Sequence, residues 1–274
     1  MRLDRRKVLI TGAGSGIGRA LAVETARRGA VVVLAGRNVA ALDETAKLAG
    51  GDVRNHVVAL DLAVQDERAA MFEKLHALLG GLDVLINNAG IVHAGPLSET
   101  DDETLRRLLE VDLLAPISLT RNLLPLLRAS QAGQVVNVGS MFGDIAFPFF
   151  TAYSAAKFGL RGWSDALRRE LADDGITVTY CAPRGTRTPA VGSYARYVAP
   201  FEMRLDAPET VANQILDAVE AGKRDVYPTG PERFFLWVQK LAPALVDGGL
   251  RKKTTLAAKN AVFRLPSGST SILS

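Results

Sequence analysis

Cysteine is almost absent from this sequence, which has one, Cys181, in 274 residues. A single thiol cannot form an internal disulfide, and nothing indicates an oxidising compartment. Because Cys181 lies in the apolar run ITVTYCAP, we expect a small buried hydrophobic residue. The excess of positive charge is also small, with 33 Lys and Arg against 29 Asp and Glu. It does not form the basic stripe typical of nucleic-acid binding, so no nucleic-acid partner is predicted.

Long apolar runs are absent as well. No stretch of eighteen apolar residues occurs, which argues against a membrane-spanning helix. The first segment, MRLDRRKVLITG, is charged and then enters a short strand-like run, without the apolar core of a signal peptide. We therefore expect a cytoplasmic protein, and we predict no bound metal.

What the sequence has instead is alternation between two periods. Short apolar runs such as KVLITG and AVVVLAG are typical of strands that are buried on both faces. Between such runs lie segments with helical spacing, such as GIGRALAVETARRGA and TAYSAAKFGLRGWSDALRRELADD. This order predicts an α/β protein with a doubly wound, mostly parallel sheet and helices on both faces.

Two segments depart from this alternation. We assign residues 1–230 to a single domain, within which 184–206 has poor periodicity and is predicted to be a long substrate loop. Residues 231–274 are predicted to be a C-terminal helical extension and tail. The segment RFFLWVQKLAPALVDGGLRKK is apolar and then basic. It suits either a packing or subunit-contact helix, or a helix that lies on an anionic membrane surface.

The stretch TGAGSGIG joins the first predicted strand to the first helix. Its glycines allow a tight turn and the close approach of a pyrophosphate, and the helix N-terminus supplies N–H donors. A glycine-rich string alone is weak evidence, but here a strand and a helix flank it correctly. The predicted dinucleotide-binding residues of this turn are Gly12, Gly14, Ser15, Gly16, Ile17 and Gly18.

Polar residues follow three further strands. The second strand ends in LAGRN, where Gly36 offers no carboxylate to hold a ribose 2′-hydroxyl and Arg37 can bind a 2′-phosphate. NADP is therefore predicted in preference to NAD, the alternative being a solvated arginine. Asp61 after the third strand, and Asn88 with Gly90 after the fourth, are further candidate nucleotide ligands, because ligands bind at the carboxyl ends of strands. Each is equally suited to a turn or a cap.

The stretch YSAAK places Tyr153 and Lys157 four residues apart, on one helical face. A phenol has an ordinary pKa near ~10, and an adjacent ammonium favours the phenolate and lowers that pKa. The pair therefore makes an acid/base unit. Ser140 ends the fifth strand and can hold a substrate oxygen. The alternative is a chance pairing of common residues.

Jointly, TGAGSGIG, NNAG, Ser140, YSAAK and the P-x-G…T region at 183–188 resemble motifs of the short-chain dehydrogenase/reductase family, over roughly residues 5–230. The resemblance implies a Rossmann-type sheet of about seven strands, NAD(P), hydride transfer to a carbonyl or from a secondary alcohol, and a homodimer or homotetramer. It implies that Tyr153 is the catalytic acid/base, that Lys157 also contacts the nicotinamide ribose, and that Ser140 orients the substrate oxygen. The further cofactor contacts are then Asp61, Leu62, Asn88, Ala89, Gly90, Pro183, Thr186 and Thr188.

The sequence departs from the family pattern at one candidate catalytic position. The family usually carries Asn in a VNL-like string that orders a proton-relay water, whereas this chain has VDL, with Asp112. An aspartate accepts hydrogen bonds from water or from Lys157, but it cannot donate one when it is ionised. We expect activity to survive the difference.

A second departure follows the sixth strand, where the family's PG is PRG and the usual Val or Ile is Thr186, whose backbone is expected to contact the nicotinamide amide. Arg184, with Arg187, either docks an anion or faces solvent or pairs within the fold. The latter two are favoured for Arg184.

Apolar residues near the candidate site indicate a hydrophobic substrate. Phe142, Phe147 and Phe149, with the 185–205 loop, are predicted to line a pocket for a lipid-like, steroid-like or aromatic ketone, although ordinary core packing suits each phenylalanine equally. The leading interpretation is an NADP-preferring oxidoreductase. The alternatives are a non-catalytic dinucleotide-sensing module, against which the intact catalytic residues argue, and a membrane-associated lipid ketone reductase that uses the basic tail.

Overall fold

The computed structural model describes residues 2–51, 55–230 and 232–259, with side chains as far as residue 254. The strands are Lys7–Thr11 (β1), Val31–Gly36 (β2), Asn55–Ala59 (β3), Val84–Asn87 (β4), Gln134–Val138 (β5), Thr177–Cys181 (β6) and Asp225–Val226 (β7). They form one sheet in the order β3-β2-β1-β4-β5-β6-β7, in which every neighbouring pair is parallel. The predicted doubly wound sheet is confirmed, and it is wholly parallel in the described part of the chain.

Helices connect the strands and cover both faces of the sheet. They are Gly16–Arg27 (α1), Val39–Leu48 (α2), Gln65–Ala69 (α3), Met71–Leu79 (α4), Asp102–Leu109 (α5), Ala115–Ala129 (α6), Thr151–Glu170 (α7), Ala195–Val198 (α8), Pro208–Glu220 (α9), Glu232–Leu241 (α10) and Pro243–Lys259 (α11). A π-helical turn, Glu110–Leu114, joins α5 to α6, and short 3₁₀ turns occupy Leu97–Glu99, Met141–Gly143 and Pro189–Ser193.

Alternation along each strand divides the core into two layers. In β1, Val8 and Ile10 face the layer that contains α1 and α9, whereas Leu9 faces the layer that contains α4, α6 and the C-terminal half of α7. Successive side chains of a strand point to opposite faces of the sheet. Because helices bury both faces, the positions along a central strand are mostly apolar, which explains the continuous apolar runs of the sequence.

The sheet topology positions a crevice. From β1 the chain first runs outward through β2 to β3, and it then returns to β4 on the other side of β1. The connections that follow β1 and β4 therefore leave the sheet in opposite directions. In open parallel sheets, ligands bind at such a switch point, beyond the carboxyl ends of the strands.

The two unusual segments of the sequence both lie beside this edge of the sheet. Segment 184–206 contains the 3₁₀ turn Pro189–Ser193 and α8, and it packs on the aromatic residues that precede α7. The predicted extension forms α10 and α11, while residues 231 and 260–274 of that prediction lie outside the described residues. Within the described chain, no helix combines the length and apolarity needed to span a bilayer.

Candidate active site

One cavity of about 1470 Å³ opens along the carboxyl edge of the sheet. It runs from the glycine turn, past the ends of β2 and β3, to the segments that surround the start of α7. Every site residue predicted from the sequence lines it: Gly12, Gly14, Ser15, Gly16, Ile17, Gly18, Arg37, Asp61, Leu62, Asn88, Ala89, Gly90, Asp112, Ser140, Tyr153, Lys157, Pro183, Thr186 and Thr188. The structure therefore brings together residues from eight separate parts of the chain.

The glycine turn is shaped so that side chains would block it. Gly12 and Gly16 have φ values of 67° and 54°, in the left-handed region that favours glycine. A Cβ on Gly18 would lie 2.1 Å from the carbonyl oxygen of Gly12 and 2.5 Å from Nδ2 of Asn88. A Cβ on Gly16 would lie 2.9 Å from Cγ2 of Thr188. The turn, the end of β4 and the loop after β6 are thus in close contact.

The start of α1 fits the phosphates of a dinucleotide. Ser15 is the N-cap residue, but its side chain makes no capping hydrogen bond, and the first turn of α1 has no acidic residue. The N–H groups and the positive end of the helix dipole therefore face the cavity without a competing carboxylate. Arg19, which sequence reasoning missed, braces this turn, because its Nη2 donates to the carbonyl oxygen of Gly14 at 2.7 Å.

At the end of the cavity beyond β2, one cationic side chain, Arg37, is found among the described lining residues. Arg37 is exposed, lines the cavity and makes no ion pair with any described residue. Asp61 Oδ1 accepts from the backbone N–H of Ala63 at 2.9 Å, so this carboxylate does serve as a turn residue. Arg68, buried beneath it, donates to the carbonyl oxygen of Leu62. These contacts hold the rim of the site after β3.

The candidate catalytic pair lies on α7, where the spacing in YSAAK placed it. Lys157 Nζ is 5.5 Å from the centre of the Tyr153 ring, and the lysine side chain is buried. Ser140 lies just beyond β5, with its Oγ accepting from the backbone N–H of Phe142 at 3.1 Å. That contact leaves the hydroxyl hydrogen of Ser140 available to an acceptor. Burial has the largest effect on the pKa of Tyr153 and raises it, and a side-chain hydrogen bond with Ser140 opposes that rise.

Asp112 reaches this pair from the π-helical turn between α5 and α6. Its Oδ2 lies 3.1 Å from Lys157 Nζ, and its Oδ1 accepts from the backbone N–H of Ile91 at 2.8 Å. A π-helical turn offsets the side chains by one position relative to an α-helix, and here it directs the aspartate into the site. A Cβ on Gly90 would lie 3.1 Å from Asp112 Oδ2, so the glycine allows this close approach.

Burial and charge shift the pKa values of the three groups. Burial raises the pKa of Asp112, and Lys157 and the N–H of Ile91 oppose that rise. Burial raises the pKa of Tyr153, Lys157 lowers it and Asp112 raises it, and the net direction is upward. The predicted lowering of this pKa by Lys157 is present, but burial and the Asp112 charge, which the sequence did not reveal, outweigh it. Burial lowers the pKa of Lys157, yet attraction to Asp112 and Tyr153 makes the net shift upward. Lys157 is therefore held as an ammonium.

Two structural supports of the site were not evident from the sequence. Tyr180 of β6 is buried, and its Oη donates to the carbonyl oxygen of Ser140 at 3.3 Å. Asn137 of β5 accepts from Asn87 Nδ2 of β4 at 2.9 Å and donates to Ser164 Oγ of α7 at 2.9 Å. This buried chain of hydrogen bonds links α7 to β4 and β5, although Asn87 Oδ1 has no hydrogen-bond partner among the described residues.

The loop after β6 is held by ion pairs rather than open to anions. Arg184 makes two contacts with Asp206, at 2.7 and 2.9 Å, and one with Glu232 at 2.8 Å. Arg187 donates to the carbonyl oxygen of Leu205 at 2.7 Å. Of the alternatives for Arg184, pairing within the fold is the one that the structure shows, and it was among the two favoured from the sequence. Thr186 is buried, and its backbone pairs with that of Asp206 in an isolated parallel β-bridge.

The other end of the cavity is aromatic. Phe142 and Phe147 line it as predicted, with ring centres 4.8 Å apart. Phe149 does not line it; its ring instead stacks on Tyr197 at 5.3 Å, and Phe150 faces the cavity. The reason is the backbone, since Phe149 has a φ of 68°, which turns its side chain away from the cavity. Further lining comes from Tyr194 and Phe201 of the loop and from Phe235 and Leu245 of α10 and α11.

Comparisons with known proteins agree with this geometry. A family model of short chain dehydrogenases matches residues 6–197. The chain is 34% identical over 251 residues to dehydrogenase/reductase SDR family member 7B of Mus musculus. The alignment covers 87% of this chain and 78% of that protein. It is 30% identical over 253 residues to estradiol 17-beta-dehydrogenase 11 of Macaca fascicularis, and that alignment covers 91% of this chain and 83% of the macaque protein.

A solved structure shares the fold over nearly its whole length. The crystal structure of a short-chain dehydrogenase from Streptomyces avermitilis superimposes with a TM-score of 0.76 at 29% sequence identity. The match covers 96% of this chain and 99% of the other.

Proposed function

Since this chain belongs to the short-chain dehydrogenase family, we propose that it exchanges hydride between NADP(H) and a hydrophobic ketone or secondary alcohol. It is an oxidoreductase that acts on CH–OH or ketone groups. The observation that carries the finer proposal is the position of Tyr153 and Lys157. They lie in the same cavity as the glycine turn, with an ion-paired aspartate behind the lysine.

In the proposed mechanism, the bound nicotinamide supplies or accepts the hydride. Tyr153 gives its phenolic proton to the carbonyl oxygen in reduction and takes the hydroxyl proton in oxidation. Ser140 donates to the same oxygen and orients it. Lys157 stabilises the phenolate by its positive charge, and Asp112 holds Lys157 protonated and in place.

The preference for NADP is supported by the charges beyond β2. The strand ends at Gly36, a residue without a carboxylate. The next residue, Arg37, lines the cavity and has no ion-pair partner among the described residues. A guanidinium binds a phosphate through charge-assisted hydrogen bonds. The 2′-phosphate of NADP offers such a group, and NAD does not.

The hydrophobic substrate is supported by the aromatic end of the cavity. Phe142, Phe147, Phe150 and Phe201 pack as one aromatic cluster beside Tyr153. One relative is named as an estradiol dehydrogenase, and a steroid of that kind is hydrophobic. We propose a substrate of comparable apolarity, such as a lipid-like, steroid-like or aromatic ketone.

The experiment is a panel of ketones and secondary alcohols of increasing apolarity, each run with NADPH, NADH and their oxidised forms. Absorbance of the reduced nicotinamide reports turnover. We expect turnover with apolar members and a preference for NADP(H). Tyr153→Phe is expected to reduce turnover by about 10²–10⁴-fold and to leave cofactor affinity unchanged. Equal turnover by Tyr153→Phe would contradict the assigned acid/base.

We further propose that the protein is cytoplasmic and forms a homodimer or homotetramer. Support comes from the family resemblance and from the single cysteine, which gives no indication of an oxidising compartment. Sedimentation velocity of the purified chain measures the assembly directly.

A further inference from the structure

The two C-terminal helices carry an apolar stripe that faces solvent. Phe234, Trp237 and Leu241 of α10 are 67%, 66% and 80% exposed, and Leu245 at the start of α11 is 70% exposed. The first three are spaced i, i+3 and i+7, so they lie on one face of the helix. Isolated exposed apolar residues are ordinary, but a contiguous group of large ones marks a contact surface.

Positive charge accompanies this stripe. Residues 231–274 contain seven Lys and Arg against two Asp and Glu, whereas the preceding residues contain 26 against 27. The basic excess of the whole chain therefore lies in this segment. Arg233 and Lys240 flank the stripe on α10, and Lys240 Nζ lies 6.0 Å from the Trp237 ring. Aromatic and aliphatic residues bordered by cations suit an anionic lipid surface.

The stripe continues into the substrate cavity. Phe235, beside Phe234, and Leu245 both line the cavity, as does Leu250 of α11. Ion pairs also link the helices to the substrate loop, since Glu232 pairs with Arg184 and Lys253 pairs with Glu202, both at 2.8 Å. The helices that carry the stripe therefore also form part of the wall of the cavity that contains Tyr153.

We propose that Phe234, Trp237, Leu241 and Leu245, here called the C-terminal apolar stripe, dock on the surface of an anionic membrane. Docking places the aromatic end of the cavity against the lipid. The contact is peripheral, with apolar side chains in the headgroup region and Arg233 and Lys240 close to lipid phosphates. This binding is independent of turnover and therefore remains testable if the proposed substrate class is wrong.

The first test uses Trp237 as its own reporter. Trp163 is the other tryptophan of the chain, so Trp163→Phe leaves Trp237 alone. With vesicles of phosphatidylcholine and phosphatidylglycerol, we expect a blue shift of the Trp237 emission and quenching by brominated lipid. With phosphatidylcholine alone, or in high salt, we expect both effects to weaken, because cations contribute through screened attraction. Unchanged emission with anionic vesicles overturns the proposal.

The second test compares two triple variants by co-sedimentation with the same vesicles. Phe234→Ser/Trp237→Ser/Leu241→Ser is expected to lower the partition coefficient by about tenfold or more. The control, Leu48→Ser/Leu78→Ser/Leu97→Ser, changes three exposed leucines elsewhere on the fold and is expected to leave partitioning unchanged. None of these six residues lines the cavity, so basal turnover on a soluble substrate should be retained.

The outcomes separate lipid from a second copy of the chain. If the parent chain is oligomeric in sedimentation velocity and does not bind vesicles, and the stripe variant is monomeric, then the stripe is a subunit interface and the proposal is wrong. Equal loss of binding in both triple variants also overturns it, because the effect is then not specific to the stripe.

Discussion

Asp112 Oδ2 lies 3.1 Å from Lys157 Nζ, and both side chains are buried. The pair places a negative charge directly behind the ammonium that faces the candidate catalytic phenol. An asparagine at the same position would accept a hydrogen bond without a formal charge. The aspartate therefore holds Lys157 more firmly as a cation, and it also raises the pKa of Tyr153.

The first prediction concerns the pH dependence of Asp112→Asn. Because the carboxylate raises the pKa of Tyr153, its removal lowers that pKa. Alcohol oxidation needs the ionised phenol, so the acid limb of the kcat/KM profile is expected to move to lower pH. The unfolding free energy is expected to fall by about 1–3 kcal/mol, since Lys157 loses a charged partner and keeps an acceptor.

The matched control is Asp144→Asn, which removes a carboxylate that hydrogen-bonds Tyr227 and does not line the cavity. Its acid limb should coincide with that of the parent. An acid limb for Asp112→Asn that stays in place or moves to higher pH would show that the aspartate does not control the phenol.

The second prediction compares one substitution at two glycines. Gly18→Ala puts a methyl group 2.1 Å from the carbonyl oxygen of Gly12, so the turn must open. We expect a loss of about 1–3 kcal/mol or more in unfolding free energy and a large loss of cofactor binding by fluorescence titration. Gly162→Ala, within α7, meets no atom within 4 Å and should stabilise by about 0.5–1 kcal/mol. Similar effects of the two substitutions would contradict the packing argument.

The parts of the molecule that follow local rules could be predicted from the sequence. The apolar runs specified the strands, because buried strands need both faces apolar. The YSAAK spacing placed Tyr153 and Lys157 on one face of α7, since i and i+4 always share a face. The glycine turn was recognisable from its flanking strand and helix. Each of these depends on neighbours a few residues away.

What depended on distant parts of the chain could not be predicted. Arg184 pairs with Asp206 and Glu232, which lie 22 and 48 residues later, so its local sequence gave no indication of its partners. The net pKa of Tyr153 depends on burial, which only the packed site sets. Phe149 turns away because its φ is 68°, and no residue type there required a positive φ.

The third prediction tests the cofactor preference through Arg37. Arg37→Ala removes the cation proposed to bind the 2′-phosphate, a charge-assisted bond worth about 1.5–3 kcal/mol. We expect KM for NADP(H) to rise by about 10–150-fold, with KM for NAD(H) nearly unchanged. The control, Arg169→Ala, removes an exposed arginine of α7 remote from the cavity. A parallel rise of KM for both cofactors would argue that Arg37 does not read the 2′-position.

The fourth prediction concerns Cys181, which is buried as expected from its apolar run. Burial raises the pKa of its thiol, so little thiolate forms, and the reagent has no access. An aromatic disulfide reagent at mildly alkaline pH should leave the native protein unlabelled and should label one thiol per chain in denaturant. Ser193→Cys, at an exposed position in segment 184–206, supplies the positive control. Rapid labelling of the native parent would contradict the buried assignment.

The fifth prediction tests whether Arg184 orders segment 184–206. Arg184→Gln removes the cation between Asp206 and Glu232 and leaves two part-buried carboxylates without their partner. We expect a loss of about 1–3 kcal/mol in unfolding free energy, faster proteolysis within 184–206, and a higher KM for substrate with a smaller change in kcat. The control, Arg187→Gln, loses one exposed hydrogen bond to the Leu205 carbonyl. Since that bond lies in the same loop, equal proteolysis rates in the two variants would show that the Arg184 ion pairs do not hold the loop in place.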